Sequence, residues 1–182
     1  PSVSEFICLK LVNKFVSDEI SLASFKDRTA PAELLTLMDE AIAAWHSTTP
    51  AGNIRTVMGA ILSPADQSSH FWSRQAYRAK IKTAVEFINS SARALQVDVG
   101  GTSLPEYNEN LGMHLFTRDD PDGWSELGGD WMDTGTMLAR IKFAQSLTLN
   151  RISDVQWDVA PWLAGNNLSS AESLIDYFNH LL

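Results

Sequence analysis

Apolar residues recur at helical spacing along most of the chain. Over residues 3–16 they lie almost all round, leaving Lys10, Asn13, Lys14 and Ser17 as one narrow polar stripe. That is the pattern of a helix buried on most sides. Ser2 and Glu5 are spaced as a capping box, so this helix begins almost at the first residue. Pro31 suits the first turn of a second helix, whose inward face is Leu34, Met38, Ala41, Ile42 and Trp45. The segment TTPAGN breaks the chain. Ile54, Val57, Met58, Ile61 and Leu62 then give the i, i+3, i+4, i+7, i+8 stripe of a third helix. Residues 63–77 read as irregular, with one short turn. In a fourth helix Ile81, Val85, Ile88, Ala92 and Leu95 face inward, and Lys82, Glu86, Asn89 and Arg93 face outward. Lys82 and Glu86 are spaced for a weak i, i+4 pair, and Gly100-Gly101 fits a left-handed C-terminal cap.

A shorter helix is predicted over residues 105–112 and a longer one over 134–149. The longer one has Asp133 or Thr134 as N-cap and Met137, Leu138, Ile141, Ala144 and Leu147 as its apolar residues. Ser153 with Gln156, and Ser169 with Glu172, are spaced as further capping boxes. Leu174, Ile175, Phe178 and Leu181 make a last amphipathic helix. No alternation is long enough to argue for a sheet, and no internal repeat is present. The expected fold is all-α: a single domain over residues 1–182, an irregular bundle of about seven or eight helices with one long ordered loop.

That loop lies in LFTRDDPDGWSELGGDWMDTGTMLAR, residues 115–140, which has no helical or strand period until Thr134. Structureless connections of this length are functional or disordered. Trp124 and Trp131 argue against disorder, because an indole needs burial to be worth ordering. Asp119, Asp120, Asp122, Trp124, Glu126, Asp130 and Trp131 are therefore the candidate binding residues. An EF-hand is excluded: with Gly123 as its invariant glycine, Arg118 would take the first ligand position and Gly129 the last. Two readings stay open. Asp120-Pro121-Asp122-Gly123 forms a turn, for which Pro, Asp and Gly are each suited. The alternative is an irregular oxygen site for Ca²⁺ built from Asp119, Asp120, Asp122 and Glu126. The turn is the better founded, since clustered carboxylates are a weaker signal than defined ligand spacing, and no cofactor or metal is expected.

The net charge of −8, from 14 basic and 22 acidic side chains, disfavours non-specific nucleic-acid binding. A basic run, RQAYRAKIK over residues 74–82, cuts against that balance and reads as a solvated helix start. No apolar run is long enough to cross a bilayer. Cys8 is the only cysteine, which excludes an intramolecular disulfide and a multi-cysteine metal site. His46 and His180 sit where helix C-termini favour them, His70 lies in a loop, and His114 adjoins the carboxylates as a hydrogen-bonded structural residue. GWSELG around Ser125 has the wrong glycine spacing for a nucleophile elbow, and no strand precedes it. HExxH, P-loop and G-x-G-x-x-G motifs are absent from the sequence. Carboxylate pairs could serve acid–base chemistry as in glycosidases, but sequence does not give their separation. The six tryptophans could form a sugar-like binding surface, yet their spacing better fits anchors of helix ends and loops. PSVSEF lacks a methionine, a basic n-region and an apolar h-region, so Pro1 reads as a cut site, or else as a mature end after signal removal.

Several segments resemble the C-terminal half of a bacterial family known as domain of unknown function 1800. FICLKLVNKFVSDE (residues 6–19) is similar to its apolar helix ending in a Phe-Val-x-Asp turn. NIRTVMGAILS and FWSRQAYRAKIKTAVEFINSSARAL are similar to its next block, and PDGW, DW and TMLARIKFAQ to its Pro-x-x-Gly-Trp, Trp and Leu-x-x-Arg hallmark. Here Pro121 and Gly123-Trp124 stand one residue closer than in many members. The resemblance runs from Phe6 to about Leu147. It implies a helical fold, and a longer exported precursor with an N-terminal half containing histidine-bearing helices; no established activity comes with it. Pro121, Gly123, Trp124, Trp131 and Arg140 carry over as motif positions rather than catalytic ones. A periplasmic or extracellular location is implied, with that N-terminal half or another exported protein as partner, and neither nucleic acid nor a membrane span. The function so indicated is a binding or docking module. Part of a hydrolase completed by the N-terminal half, and a calcium-stabilised structural domain, are the alternatives. Arg140, about two turns into its helix, is placed to hold a loop carboxylate.

Overall fold

Ser2 and Glu5 form the expected capping box: the Ser2 hydroxyl accepts from the Glu5 N–H (3.3 Å) and the Glu5 carboxylate from the Ser2 N–H (2.9 Å). The protein is seen in a computed structural model that describes residues 2–63, 69–121, 123–125 and 127–181. Its contacts group into two compact units, Pro1–Ile81 and Lys82–Leu182, each with its own core. Among the described residues there are nine α-helices and one two-stranded ribbon, an all-α fold.

The first unit holds α1 (Val3–Phe15), α2 (Leu22–Lys26), α3 (Ala32–His46), α4 (Ile54–Leu62) and a 3-10 turn at His70–Trp72. Cys8, Val12, Val16, Leu34, Met38 and Ile61 are central to its core. α1 is buried on one face only, with Val3, Phe6 and Phe15 exposed. Asn13 and Ser17, expected on the outer stripe, are turned inward. The reason is the chain's turn after α1: the Asn13 side-chain amide donates to the carbonyls of Ser17 (3.2 Å) and Ile20 (3.2 Å) in the segment that follows the helix. α2 has no counterpart in the sequence reading, because five residues with one buried side chain, Phe25, are too short to show a period. Pro31 stands just before α3 in an extended conformation (ψ 137°) rather than in its first turn. Trp45 lies over Gly52, where a Cβ would come within 2.9 Å of the indole and φ is +96°.

The second unit contains α5 (Ala84–Leu95), β1 (Asp98–Val99), α6 (Leu104–Asn110), a 3-10 turn (Gly128–Trp131), α7 (Thr134–Thr148), β2 (Val155–Gln156), α8 (Val159–Gly165) and α9 (Ala171–Leu181). Thr83 and Glu86 form the capping box of α5, so Ile81 lies before the helix. The helix ends at Gln96, itself left-handed (φ 52°), ahead of the glycine pair expected to do so. Lys82, just ahead of the helix, donates through Nζ to Ser90 Oγ (3.0 Å). β1 and β2 pair antiparallel, Asp98 opposite Gln156 and Val99 opposite Val155. Gln156 is thus a strand residue, not part of a cap with Ser153. The box at α9 is formed by Ser170 and Ser173, one residue beyond the expected Ser169.

The core of this unit centres on Ile88, Leu111, Phe143, Leu147 and Val155. Phe143 meets Phe87 and Tyr107 edge-on, with ring centroids 5.7 and 5.2 Å away. Trp162 gathers Trp157, Tyr177 and Phe178 at 5.3, 5.5 and 5.8 Å. Of the apolar residues read on α7 only Leu147 is buried, with Phe143 beside it, while Met137, Leu138 and Ile141 are 41, 51 and 51% exposed. Ala144 is also exposed, as is Ile175 on α9.

Candidate functional site

The segment between α6 and α7 is built on a turn and two indoles. The Asp120 carbonyl accepts from the Gly123 N–H (3.2 Å), and Gly123 has φ +77°, a conformation that penalises any side chain. The turn expected at Asp120–Gly123 is therefore present, with Pro121 inside it. Arg118 closes it from outside: its guanidinium pairs with Asp120 Oδ2 (2.7 Å) and donates through Nε to the Gly123 carbonyl (3.1 Å). The same guanidinium lies 5.1 Å from the centroid of Trp124. Trp124 in turn packs on Trp131, centroids 6.0 Å apart and tilted by 49°.

Trp131 is the anchor. It is buried, its Nε1 donates to the Ser125 carbonyl (2.9 Å), and its own carbonyl accepts from Thr136 Oγ1 (3.0 Å) on the first turn of α7. Ser125 Oγ donates to the Asp130 carboxylate and accepts from the Leu127 N–H (3.1 Å), the pattern of a turn-stabilising hydroxyl. Asp133 then caps α7, its Oδ1 accepting from the N–H groups of Gly135 (2.6 Å) and Thr136 (2.9 Å). These bonds hold the Asp133 carboxyl below its ordinary pKa, the Thr136 N–H contributing most.

Of the candidate residues, Asp120, Trp124, Asp130 and Trp131 join this network; Asp119 is exposed beside it. Asp122 and Glu126 lie outside the described residues, and with them half of the donor set of the calcium alternative. Arg118 was not among the candidates. Its signal is a cation two residues before an acid and six before an indole, on either side of a turn. His114 faces Glu109 (3.6 Å to Oε1), with both side chains more than half exposed.

Arg140 does not hold a loop carboxylate among the described residues. Its guanidinium donates to the Lys82 carbonyl (2.7 Å) and lies 4.8 Å from the centre of Phe87, tying α7 to the segment that leads into α5. Burial lowers its pKa, and its Nε has no hydrogen-bond partner. The tryptophans act as anchors: Trp72 Nε1 donates to the Leu62 and Ser63 carbonyls, and Trp157 and Trp162 sit in the core.

A feature the sequence did not reveal is a cleft of about 710 Å³ beside the β1–β2 ribbon, lined by Asp98, Asn150, Asp154 and Asp158 among others. The Asn150 side chain braces it, accepting from the Trp157 N–H (2.6 Å) and donating to the Trp157 carbonyl (2.9 Å). Among the described residues no three His, Cys, Asp or Glu side chains are grouped to hold a metal ion. No helix among them is long and apolar enough to cross a membrane.

No curated protein and no solved structure matches the chain. The family described as Protein of unknown function (DUF1800) does match, over residues 1–182, so the match extends past residue 147 through α8 and α9. The turn, its two indoles and the arginine of α7 thus belong to a chain that is a member of the DUF1800 family.

Proposed function

We propose that residues 82–182 serve as a docking module of an exported, periplasmic or extracellular bacterial protein, and that the partner is a polypeptide that lays an apolar surface against α7. The supporting observation is the outer face of that helix. Met137, Leu138 and Ile141 stand at helical spacing, and Thr134, Ala144, Gln145 and Thr148 extend the same exposed side without a charge. Three neighbouring apolar side chains left exposed on one uncharged helix face support a contact surface for a partner. An amphipathic segment read at i, i+3, i+4 is the usual way such a face is covered. The Trp131-anchored loop fixes the start of α7 and so presents that face rigidly. The N-terminal part of a longer precursor, which the family resemblance implies, is the occupant this reading favours.

Methionine oxidation tests it. Met137 is 41% exposed and Met38 fully buried, so dilute hydrogen peroxide on the isolated chain should oxidise the first and spare the second. In the protein as its host produces it, Met137 should be protected to nearly the level of Met38. Equal oxidation of Met137 in both preparations overturns the reading.

A further inference from the structure

The basic run of residues 74–82 is not a helix start: residues 74–79 are turns, and α5 begins only at Ala84. Two of its cations are engaged, Lys80 with the Asp18 carboxylate and Lys82 with Ser90. Arg74 is exposed and has no ion-pair partner among the described residues. It lines a cleft of about 450 Å³ in the first unit, together with Phe71, Trp72, Ala76, Tyr77 and Arg78. That volume falls within the range of small-molecule sites, roughly 300–1,000 Å³, and the walls are mainly apolar, as such sites require.

The indole of Trp72 is held yet open. Its Nε1 donates to two carbonyls at the end of α4, Leu62 and Ser63, each at 3.1 Å, and Phe71 meets it edge-on with centroids 5.1 Å apart. Half of the residue nevertheless remains exposed. Tyr77, 57% exposed, stands beside it with the Arg78 guanidinium 5.0 Å from its ring centre. A fixed ring with an exposed surface offers stacking without the entropy cost of ordering it on binding. A guanidinium in the same cleft matches a carboxylate in bidentate fashion.

We propose that this cleft binds a ring-bearing carboxylate, its ring against Trp72 and its carboxylate on Arg74. Two guanidiniums line the cleft, that of Arg78 lying against the Tyr77 ring, and within a chain of net charge −8 so small a positive group favours a ligand of low negative charge over a polyanion. Two sources share this chemistry, a terminal uronic acid of a saccharide and an aromatic carboxylate. The proposal is independent of the docking role of the second unit.

The test titrates the full chain with galacturonic acid and with 4-hydroxybenzoate, each against its uncharged counterpart, galactose or phenol, by calorimetry. At least one carboxylate should bind about tenfold more tightly than its counterpart, a difference of roughly 1.4 kcal/mol. Whichever acid binds identifies the source. Arg74→Gln should erase that preference while leaving the melting temperature unchanged, since Arg74 is exposed and makes no ion pair among the described residues. Trp72→Ala should weaken both members of the pair, but it also removes the bonds to α4, so Arg74→Gln decides. Equal binding of acid and neutral counterpart, an unchanged preference in Arg74→Gln, or no binding at millimolar concentration overturns the proposal.

Discussion

The Arg118 guanidinium sits 5.1 Å from the centroid of Trp124 while pairing with Asp120 and bonding the Gly123 carbonyl. One side chain thus joins the turn to the indole that rests on buried Trp131. Each contact is partly exposed, so each contributes little: a cation–π contact of about 0.5–1 kcal/mol and an ion pair of at most about 1 kcal/mol. Arg118→Ala should destabilise the second unit by about 1 kcal/mol and shift tryptophan emission to the red as Trp124 gains water. Arg118→Lys keeps the charge but loses the planar fork, so it should recover less than half of the loss. Urea unfolding followed by fluorescence measures both, and a lysine variant indistinguishable from the native protein would discard the geometric account.

Arg140 presents the opposite case. It is half-buried, bonded to the Lys82 carbonyl and stacked on Phe87. Removing it leaves a carbonyl without its donor and strips packing from an aromatic ring, so Arg140→Ala should cost about 2 kcal/mol, more than Arg118→Ala. Arg140→Met should recover the packing share alone. A change within about 0.5 kcal/mol, typical of a neutral surface position, would place Arg140 outside the fold's framework.

What the sequence disclosed, and what it hid, follows from the range of each interaction. The Ser2–Glu5 and Asp133 caps and the Asp120–Gly123 turn are settled within three or four residues, and they are present as read. The inward face of α7 is not settled locally. Met137, Leu138 and Ile141 share helical spacing, and so do Ala139, Phe143 and Leu147. Phe143 faces inward because Phe87 and Tyr107, remote in sequence, supply its ring contacts. Asn13 looked solvated because the carbonyls it satisfies appear only once the chain has turned past Ser17. Gln96 ends α5 in a left-handed conformation that glycine favours by only about 1 kcal/mol, a bias tertiary packing overrides. Arg118 had a local signal, but its role depends on a ring being brought over it.

The exposed and buried apolar residues of α7 make a direct comparison available. Leu138→Ser and Ile141→Ser alter side chains that are each 51% exposed, and should change stability by no more than about 0.5 kcal/mol. Phe143→Ala removes a fully buried ring and should cost about 3–5 kcal/mol. Denaturant unfolding of the three variants checks the ranking. Were the serine variants the more damaging, Met137, Leu138 and Ile141, and not Phe143, would be the side chains that α7 packs inward.

Asp133 sets the acid limit of the same helix. Its carboxylate accepts from the Thr136 and Gly135 N–H groups, and these bonds, Thr136 first, lower its pKa in the fold. The unfolded chain, with an ordinary aspartate pKa of about 3.9, therefore takes up the proton first as pH falls. The stabilisation is fully present above about pH 4 and is lost as pH drops through the lower value of the folded state. Glu172 at the start of α9 has the same sign, its pKa lowered chiefly by its own backbone N–H, so the unit as a whole should weaken on acidification. Asp133→Asn can still accept both bonds, since asparagine caps helices well, but it cannot titrate. It also gives up the favourable charge at the helix start, so it should melt slightly below the native protein at pH 7. Melting temperatures taken from pH 7 down to pH 2 should then converge as the native cap protonates, leaving the variant with the shallower acid limb. Parallel limbs would show that the carboxyl's charge contributes nothing to holding α7 at its start.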